Sequence, residues 1–405
     1  MGFCRINKKK LRDIISFGKM PIANNFLDKY ADFKKEYFFE LALSFSDELS
    51  LVQLDSNPNI NKMFHENYAF FSGTSSHMIN HFKNTKEWLF KKGYLHEKKI
   101  FSRIVEIGSN DGIFLQNFLK NKFVKHLGFE PSKNVFDVAK SKGINCVNEF
   151  FDSKSATNYK ESFGMADVIY AANAFCHIPN MIDVLNGINI ILKENGYLIF
   201  EDPYLGDVLD KVSYDQIYDE HIFIFSLISV EKIFKIYDYT LVDVLPLNTH
   251  GGSMRYIVQK KANAKQSKNF FHYKELELKK KFNKFSTYLN FKSNCEHLKL
   301  KFKKTLIDLK ENQKNIFGYG ATSKSTTILN YCDIGQDLIS YIVDTTPTKY
   351  WKFSPGKHIP ILPYYLFKKN FPDVYVLFAW NHSKEIKKKE RHFSKIGKWV
   401  THLDN

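Results

Sequence analysis

A carboxylate and two glycines in one short stretch offer the first chemistry in this sequence. Glu106 lies in the apolar run 104–107, and Gly108 and Gly112 bracket the turn that follows. Glycines let a backbone approach a ligand closely, and the helical spacing from residue 113 predicts a helix start with unpaired N–H groups. We therefore expect a mononucleotide-like ligand at the edge of an open sheet. The glycine spacing fits neither a dinucleotide fingerprint nor a P-loop.

Strand and helix patterns alternate over residues 96–261, which indicates an α/β fold with a largely parallel sheet. Glu130 closes the second predicted strand, where an acidic side chain binds a ribose diol in such sheets. Asn173 follows the fourth predicted strand. The polar residues at these strand ends are expected to face one crevice.

A second strand-turn-helix cycle begins near residue 315. Gly318 and Gly320 stand where a dinucleotide fold would place them, but Ser323 replaces the third glycine. This pattern predicts phosphate or nucleotide contacts through Gly320, Ser323 and Lys324, with a tight turn that binds nothing as the alternative. The predicted regions are an N-terminal module at 1–95, the α/β domain at 96–261, a Lys-rich helical connector at 262–312 and a smaller Rossmann-like domain at 313–405.

Composition narrows the class of protein. The chain is 44% hydrophobic, which excludes a disordered protein, and it has no apolar stretch long enough for a membrane helix. The net charge of +16 suggests nucleic acid, but only five of the 59 basic residues are arginine, the residue preferred for base and phosphate recognition. We expect no nucleic-acid partner. Five scattered cysteines favour a cytoplasmic location.

Several motifs, taken in order, resemble a known family. EIGSNDG, GFEPS, NEFF and NAFCHIPN are similar to motifs of class I S-adenosylmethionine (SAM) methyltransferases. GKMPIANNF, LSLVQL, NYAFFSGTS, YDQIYDEHIFIFS, THGGSMRY and YGATSKSTTILNY resemble the sugar C-methyltransferase family, which acts on nucleotide-linked keto-deoxysugars. The resemblance spans nearly the whole chain. It implies a class I SAM methyltransferase domain with a small N-terminal module and a C-terminal, smaller Rossmann-like domain.

The resemblance implies SAM as the cofactor and assigns residues to it. The methionine portion would lie beside the first glycine turn, the ribose beside Glu130, the adenine beside Phe150 and Phe151, and the sulfonium near Asn173. The cofactor residues assigned in this way are Glu106, Gly108, Asn110, Gly112, Glu130, Phe150 and Asn173.

The resemblance also places the chemistry in Tyr218-Asp219-Glu220-His221, with Tyr68 from the N-terminal module. A carbon acceptor must lose a proton beside a carbonyl, and His221 suits this because imidazole titrates near neutrality. Glu220 would orient His221, and the two tyrosines would hydrogen-bond the carbonyl. Adjacent side chains diverge on a regular element, so we expect an irregular loop.

The substrate is expected to contact His250 and Arg255 as well as the second glycine turn. His177 is expected to cap the fourth strand. The chain departs from the family at the N-terminus, where members usually carry two Cys-x-x-Cys pairs that bind zinc. Only Cys4 survives, and the other three places hold Asn7, Ser46 and Leu49. One thiolate cannot hold tetrahedral zinc, so we expect no structural zinc and assign no metal ligands.

The function implied is methyl transfer to a carbon next to the keto group of a nucleotide-linked sugar, in bacterial surface-glycan or deoxysugar biosynthesis. O-methylation of a hydroxyl on such a sugar, for example a heptose, is the close alternative. An RNA methyltransferase and a non-catalytic SAM-binding protein are more distant alternatives. The sequence alone does not separate carbon from oxygen as the acceptor.

Overall fold

The computed structural model describes residues 2–58, 73, 75–98, 100–368 and 370–404, so Tyr68 lies outside the described residues. In chain order the strands are β1 Arg12–Pro21, β2 Phe38–Ser46, β3 Leu51–Leu54, β4 Ser102–Ile107, β5 Val124–Phe129, β6 Cys146–Val147, β7 Ala166–Ala172, β8 Leu192–Pro203, β9 Phe223–Ile224, β10 Thr240–Leu247, β11 Ser253–Gln259, β12 Ile316–Tyr319, β13 Tyr341–Asp344, β14 Ile361–Pro363, β15 Val374–Leu377 and β16 Lys398–Val400.

The α-helices are α1 Ser76–Lys91, α2 Lys133–Ser141, α3 Ser153–Phe163, α4 Met181–Ile191, α5 Leu205–Lys211, α6 Leu227–Lys235, α7 Lys268–Lys279, α8 Phe285–Glu311, α9 Ser323–Tyr331, α10 Ser383–Lys389 and α11 Phe393–Ile396. Across the described residues, no helix is both long and apolar enough to cross a membrane.

The central sheet has seven strands in the order β10-β11-β8-β7-β4-β5-β6. Strands β4 to β8 run parallel, and β11 and β10 close one edge as an antiparallel pair. Strands β4 and β7 are buried on both faces because helices cover the sheet on both sides. This confirms the α/β fold. The chain crosses from one half of the sheet to the other between β4 and β7, which is where open sheets bind ligands.

The segment after the first glycine turn differs from the expectation. Residues 115–118 form a single 3₁₀ turn, Leu115–Phe118, where a helix start was expected. The Asn117 amide group donates to the carbonyls of Ile113 and Phe114, at 3.0 and 2.9 Å, and so occupies acceptors that a continuing helix would use. The expected row of unpaired helical N–H groups is therefore not present at this turn.

The N-terminal module is built on an antiparallel sheet in the order β1-β2-β3-β9. Strand β9 comes from the segment just after His221, so this sheet holds one end of the expected catalytic loop. Helix α1 packs elsewhere: its Met78, Phe82 and Leu89 join the core beneath the central sheet. Part of the region expected to form the N-terminal module therefore contributes to the methyltransferase core.

The C-terminal domain is a five-stranded parallel sheet in the order β14-β13-β12-β15-β16. The long helix α8 leads into it, and the apolar side of α8 packs in one core with the N-terminal sheet and the C-terminal domain. Helix α9 begins directly after the second glycine turn, with a reciprocal capping box between Thr322 and Ser325.

Candidate active site

A cavity of about 1210 Å³ lies beside the carboxyl ends of β4, β5 and β7. It is lined by residues from the N-terminal module, the central sheet and the C-terminal domain. Of the residues assigned from sequence, those that line it are Gly108, Asn110, Glu130, Phe150, Asn173, Tyr218, Glu220, His221, His250, Ser323 and Lys324. Residues separated by more than 200 positions therefore share one cavity.

The turns after β4 and β7 form a close cradle in the wall of this cavity. Gly108 has φ +72°, and a Cβ on it would lie 2.9 Å from the Cβ of Ala174 in the opposite turn. Asn110 and Asn173 also adopt left-handed backbone, both with φ +48°. This region favours glycine and tolerates asparagine. The backbone here is shaped for close approach by a ligand.

Glu130 supplies the carboxylate that the cradle needs for a ribose diol. It directly follows β5 and is only 5% exposed. It accepts backbone hydrogen bonds from Asn110 and Ser132, both at 2.8 Å. Phe150, 45% exposed, and the buried Phe151 line the cavity nearby. A carboxylate fixed by backbone donors next to an aromatic face fits the ribose and adenine of SAM.

Two residues assigned to the cofactor lie behind the cradle and outside the cavity lining. Glu106 is buried in β4, and burial, reinforced by the charges of Glu130 and Asp111, raises the pKa of its carboxyl well above the usual range. A Cβ on Gly112 would lie 2.0 Å from the Cδ1 of Ile144, so this glycine allows the turn to pack on α2 and its following loop. Neither residue lines the cavity, so their contact with the cofactor stays a prediction.

His221 and Tyr218 form a hydrogen-bonded pair that lines the cavity, on the irregular loop between residues 217 and 222. The Tyr218 hydroxyl lies 2.9 Å from Nε2 of His221, and Nδ1 of His221 lies 2.6 Å from the carbonyl of Gln216. Because a carbonyl can only accept, Nδ1 carries the proton and Nε2 presents its lone pair.

The electrostatic setting keeps His221 neutral. Burial, followed by the positive charges or dipoles of His177 and Lys324, lowers the pKa of His221 well below 6.5. Burial raises the pKa of Tyr218 well above its ordinary value, so its hydroxyl keeps its proton. The pair therefore combines an unprotonated imidazole with a phenol that can donate.

The expected role of Glu220 is wrong in one respect. The partner that orients Nδ1 of His221 is the Gln216 carbonyl, where a carboxylate was expected. Adjacent side chains leave the loop in different directions, and Glu220 accepts from Nδ2 of Asn24 at 2.7 Å. Its other oxygen lies 4.0 Å from Nδ1 of His177. Glu220 links the N-terminal module to the loop after β7.

Of the two further residues expected to contact the substrate, His250 lines the cavity and Arg255 does not. His250 lines the cavity, and its carbonyl accepts from the side chain of Gln216. Arg255 does not line the cavity: its guanidinium is paired with Glu201 at 2.6 Å, stacks over Trp88 and is 5% exposed. Arg255 points from β11 toward α1, so its place is in the core.

The second glycine turn meets the cavity through its following helix. Gly320 has φ +87°, and its amide donates to the Val343 carbonyl, so it serves the turn. Ser323 and Lys324, at the start of α9, line the cavity. Lys324 is buried and donates to Oε1 of Gln216 at 2.8 Å, which joins the C-terminal domain to the His221 loop.

Several residues that line the cavity were not predicted as site residues from the sequence. His177 lines the cavity near His221, whereas a strand cap was expected. Lys349 lines it from the segment after β13, and Trp380 and His382 from the segment after β15. Their position after strands of the C-terminal sheet could have identified them in the sequence, because the carboxyl ends of parallel strands lie at the same edge of a sheet.

Two of the positions where the family usually carries zinc-binding cysteines have other contacts in this structure. Cys4 is buried in a hydrophobic core, and the Asn7 side chain donates to Glu48. The absence of a structural zinc remains a prediction.

Two family models match consecutive parts of the chain. Residues 87–244 match a family described as a methyltransferase domain, and residues 248–403 match the C-methyltransferase C-terminal domain. The C-methyltransferase NovU of Streptomyces niveus is 28% identical over 386 residues, which is 95% of this chain and 91% of NovU.

Solved methyltransferases also align with part of the chain. The plantazolicin methyltransferase BpumL, in complex with SAH, is 14% identical and covers 46% of this chain and 90% of its own, with a TM-score of 0.33. The magnesium protoporphyrin IX methyltransferase ChlM from Synechocystis is 12% identical and covers 45% and 83%, with a TM-score of 0.34. The assignment rests on the sequence matches together with the cradle described above: the chain is a SAM-dependent methyltransferase whose residues 248–403 are similar to the C-methyltransferase C-terminal domain.

Proposed function

We propose that this enzyme methylates the sugar of a nucleotide-linked sugar, at a carbon next to a keto group. The observation that carries the proposal is the shared cavity, which joins the SAM cradle, the His221–Tyr218 pair and the lysine-bearing edge of the C-terminal domain. One cavity lined by all three groups can hold a cofactor, a reacting sugar and a charged nucleotide together.

The His221–Tyr218 pair supports chemistry at carbon. SAM supplies an electrophilic methyl group, and a carbon acceptor becomes nucleophilic only after it loses a proton. Neutral Nε2 of His221 is suited to take that proton, because Nδ1 is already committed to the Gln216 carbonyl. The Tyr218 hydroxyl would turn from Nε2 to the substrate carbonyl and stabilise the developing enolate.

The C-terminal edge supports binding of the nucleotide. Lys324 and Lys349 line the cavity there, and Lys349 Nζ also donates to the Ala321 carbonyl at 2.6 Å. Trp380 adds an aromatic surface on which a base can stack. Phosphates near the start of α9 would be favoured by both the lysines and the helix terminus.

O-methylation is the second candidate, because the same histidine could deprotonate a hydroxyl. The C-methyltransferase description of the C-terminal match and the name of the 28% identical relative favour carbon. The pathway we propose is the biosynthesis of deoxysugars or bacterial surface glycans. Tyr68 remains a proposed second tyrosine, and its position lies outside the described residues.

The base step can be tested without methyl transfer. Wild-type enzyme in D₂O with a nucleotide-linked keto-deoxysugar and S-adenosylhomocysteine should exchange the proton beside the ketone, as followed by NMR. His221→Ala should slow this exchange by roughly 100-fold or more, because a positioned general base contributes about 10²–10⁴-fold. Tyr218→Phe should slow it less.

The control for that experiment is His272→Gln, which changes an exposed histidine on α7. Exchange unaffected by His221→Ala would remove His221 as the base. Wild-type turnover with SAM and a panel of nucleotide sugars, followed by mass spectrometry, would identify the substrate. NMR of the product separates a methyl on carbon from a methyl ether, and a methyl ether formed without proton exchange would favour the second candidate.

A further inference from the structure

Three potential metal ligands converge at the wall of the cavity. One ligand atom each from Cys176, His177 and His221 lies within 4.8 Å of the other two. Cys176 and His177 belong to the 3₁₀ turn Phe175–His177 that follows β7, whereas His221 comes from the loop before β9. The two imidazole rings are 5.3 Å apart between centroids. Two separate segments therefore contribute to one cluster.

The chemical types of the three ligands select a class of metal. A thiolate and two imidazoles suit zinc and similar transition metals, which bind sulfur at about 2.3 Å and nitrogen at about 2.0–2.1 Å in tetrahedral sites. Ligand atoms around such an ion are roughly 3.3–3.8 Å apart, so the present cluster, with its atoms within 4.8 Å of one another, needs to contract by about 1 Å to bind one. Magnesium and calcium, which prefer oxygen ligands, are disfavoured.

Neighbouring groups already orient two of these ligands. Nδ1 of His221 donates to the Gln216 carbonyl at 2.6 Å, which leaves Nε2 as the ligand atom, as second-shell contacts do in metal sites. The backbone N–H of Cys176 donates to Oδ2 of Asp202 at 3.1 Å, which fixes the turn that carries Cys176 and His177.

We propose that Cys176, His177 and His221 form an inhibitory site for Zn²⁺ or a similar transition-metal ion. Three protein ligands leave a fourth position, and since His177 and His221 both line the cavity, that position faces solvent or substrate. An ion bound there uses the Nε2 lone pair of His221 and displaces the Tyr218 hydroxyl. The inhibitory effect, though not the binding, rests on the proposed role of His221 as the base.

Cobalt(II) gives a direct test of the ligand set. Purified, chelator-treated enzyme titrated with CoCl₂ should take up one ion with visible bands of tetrahedral cobalt and a near-ultraviolet thiolate-to-cobalt charge-transfer band. Cys176→Ser should abolish the charge-transfer band and weaken cobalt binding by more than the roughly 10–100-fold that loss of a second-shell partner costs.

Two further variants keep the result interpretable. Cys146→Ser removes another buried cysteine of the same domain and should leave the cobalt spectrum unchanged. His177→Gln should weaken binding while keeping the thiolate band at saturating cobalt, and circular dichroism checks that each variant is folded. A wild-type enzyme without the thiolate band, or a Cys176→Ser variant that retains it, would overturn the site.

Measurements of enzyme turnover test whether the bound metal inhibits. Micromolar ZnCl₂ should inhibit wild-type enzyme, a chelator should restore activity, and Cys176→Ser should be at least tenfold less sensitive, as expected when a ligand is lost. If cobalt binds through Cys176 but zinc leaves turnover unchanged, the inhibitory role is wrong, and the role of His221 as base is contradicted with it. Failure of metal binding leaves the proposed methyl transfer standing.

Discussion

At the scale of single residues, His221 shows how a small set of contacts prepares a base. The backbone carbonyl of Gln216 fixes its tautomer, and Tyr218 holds the opposite nitrogen. Burial then disfavours the imidazolium, which is why the ring stays neutral. A carboxylate partner in place of the carbonyl would stabilise the charged form and raise the pKa.

The pH dependence of turnover follows from that lowered pKa. A base must be unprotonated, and burial lowers the pKa of His221 well below 6.5, so kcat should stay level as the pH falls from neutral to about 6. The acid limb of the kcat profile should lie below that range. A limb centred at or above 6.5 that disappears in His221→Gln would show that the imidazole is not held neutral.

Gly108 carries the tightest contact in the cofactor cradle. Gly108→Ala should weaken binding of S-adenosylhomocysteine by at least tenfold in calorimetry, because the new Cβ meets Ala174 at 2.9 Å and pushes the two turns apart. Gly143→Ala is the matched control: it has φ +80° with open space around its Cβ. It should cost about 1–2 kcal/mol of stability from backbone strain and leave cofactor binding intact.

Equal losses of cofactor affinity in the two glycine variants would contradict this account. The backbone strain that they share would then be sufficient to explain the effect.

At the scale of elements, the loop that carries His221 is held by the C-terminal domain. Asp215 is fully buried in the turn before that loop. It accepts from Trp380 Nε1 at 2.6 Å and pairs with His402 Nε2 at 2.9 Å. Burial alone would raise the pKa of Asp215, but His402, Lys324 and Trp380 outweigh it and lower the pKa. Asp215 is thus a charged anchor one residue before Gln216.

His402→Ala removes one side of that anchor. We expect a loss of about 3–5 kcal/mol in the free energy of unfolding, since one partner of a buried pair is left uncompensated. Because the folded pKa of Asp215 is lowered, its stabilising contribution is present above the unfolded value of 3.8 and lost on acidification. The variant should differ most from wild type near neutral pH in urea unfolding.

An exposed ion pair of the same domain serves as the comparison. Lys314→Ala breaks the contact with Asp373, for which both side chains are 40% exposed or more, and should cost no more than about 1 kcal/mol. A His402→Ala variant with an equally small loss would show that Trp380 and Lys324 suffice to hold Asp215.

At the scale of the whole molecule, the three regions meet through the site. The Thr326 hydroxyl of α9 donates to the Ala23 carbonyl at 2.8 Å, and the Ala23 amide donates to Asp219 at 2.9 Å. The N-terminal sheet and the C-terminal domain also share one hydrophobic core. The loop between Tyr214 and His221 is therefore held from both sides, which explains how an irregular segment positions a base.

Lys324 tests whether the nucleotide lies between these regions. Lys324→Ala should weaken binding of a nucleoside diphosphate such as UDP by roughly ten- to hundredfold, the effect of losing about 1.5–3 kcal/mol from a charged hydrogen bond. S-adenosylhomocysteine affinity in the same titration should be unchanged, as should UDP affinity in Lys314→Ala. Undiminished UDP binding by the Lys324 variant would place the nucleotide elsewhere.

The sequence by itself determined the local features. Apolar runs ending in Glu106, Glu130 and Asn173 predicted the parallel strands, and the family motifs indicated the cofactor. Such features depend on short-range periodicity and backbone preference, which neighbouring residues set. The sequence also indicated that Glu220 and His221 lie on an irregular loop, because adjacent side chains diverge on any regular element.

Only the tertiary structure decided which partner each side chain has. Arg255 became a core residue because Glu201 on the neighbouring strand pairs with it, and Gly112 serves packing because Ile144 lies against it. The Asp215–His402 pair joins residues 187 positions apart. No local pattern encodes these contacts, since they depend on how sheets and domains pack, and that packing selects the residues that reach the cavity.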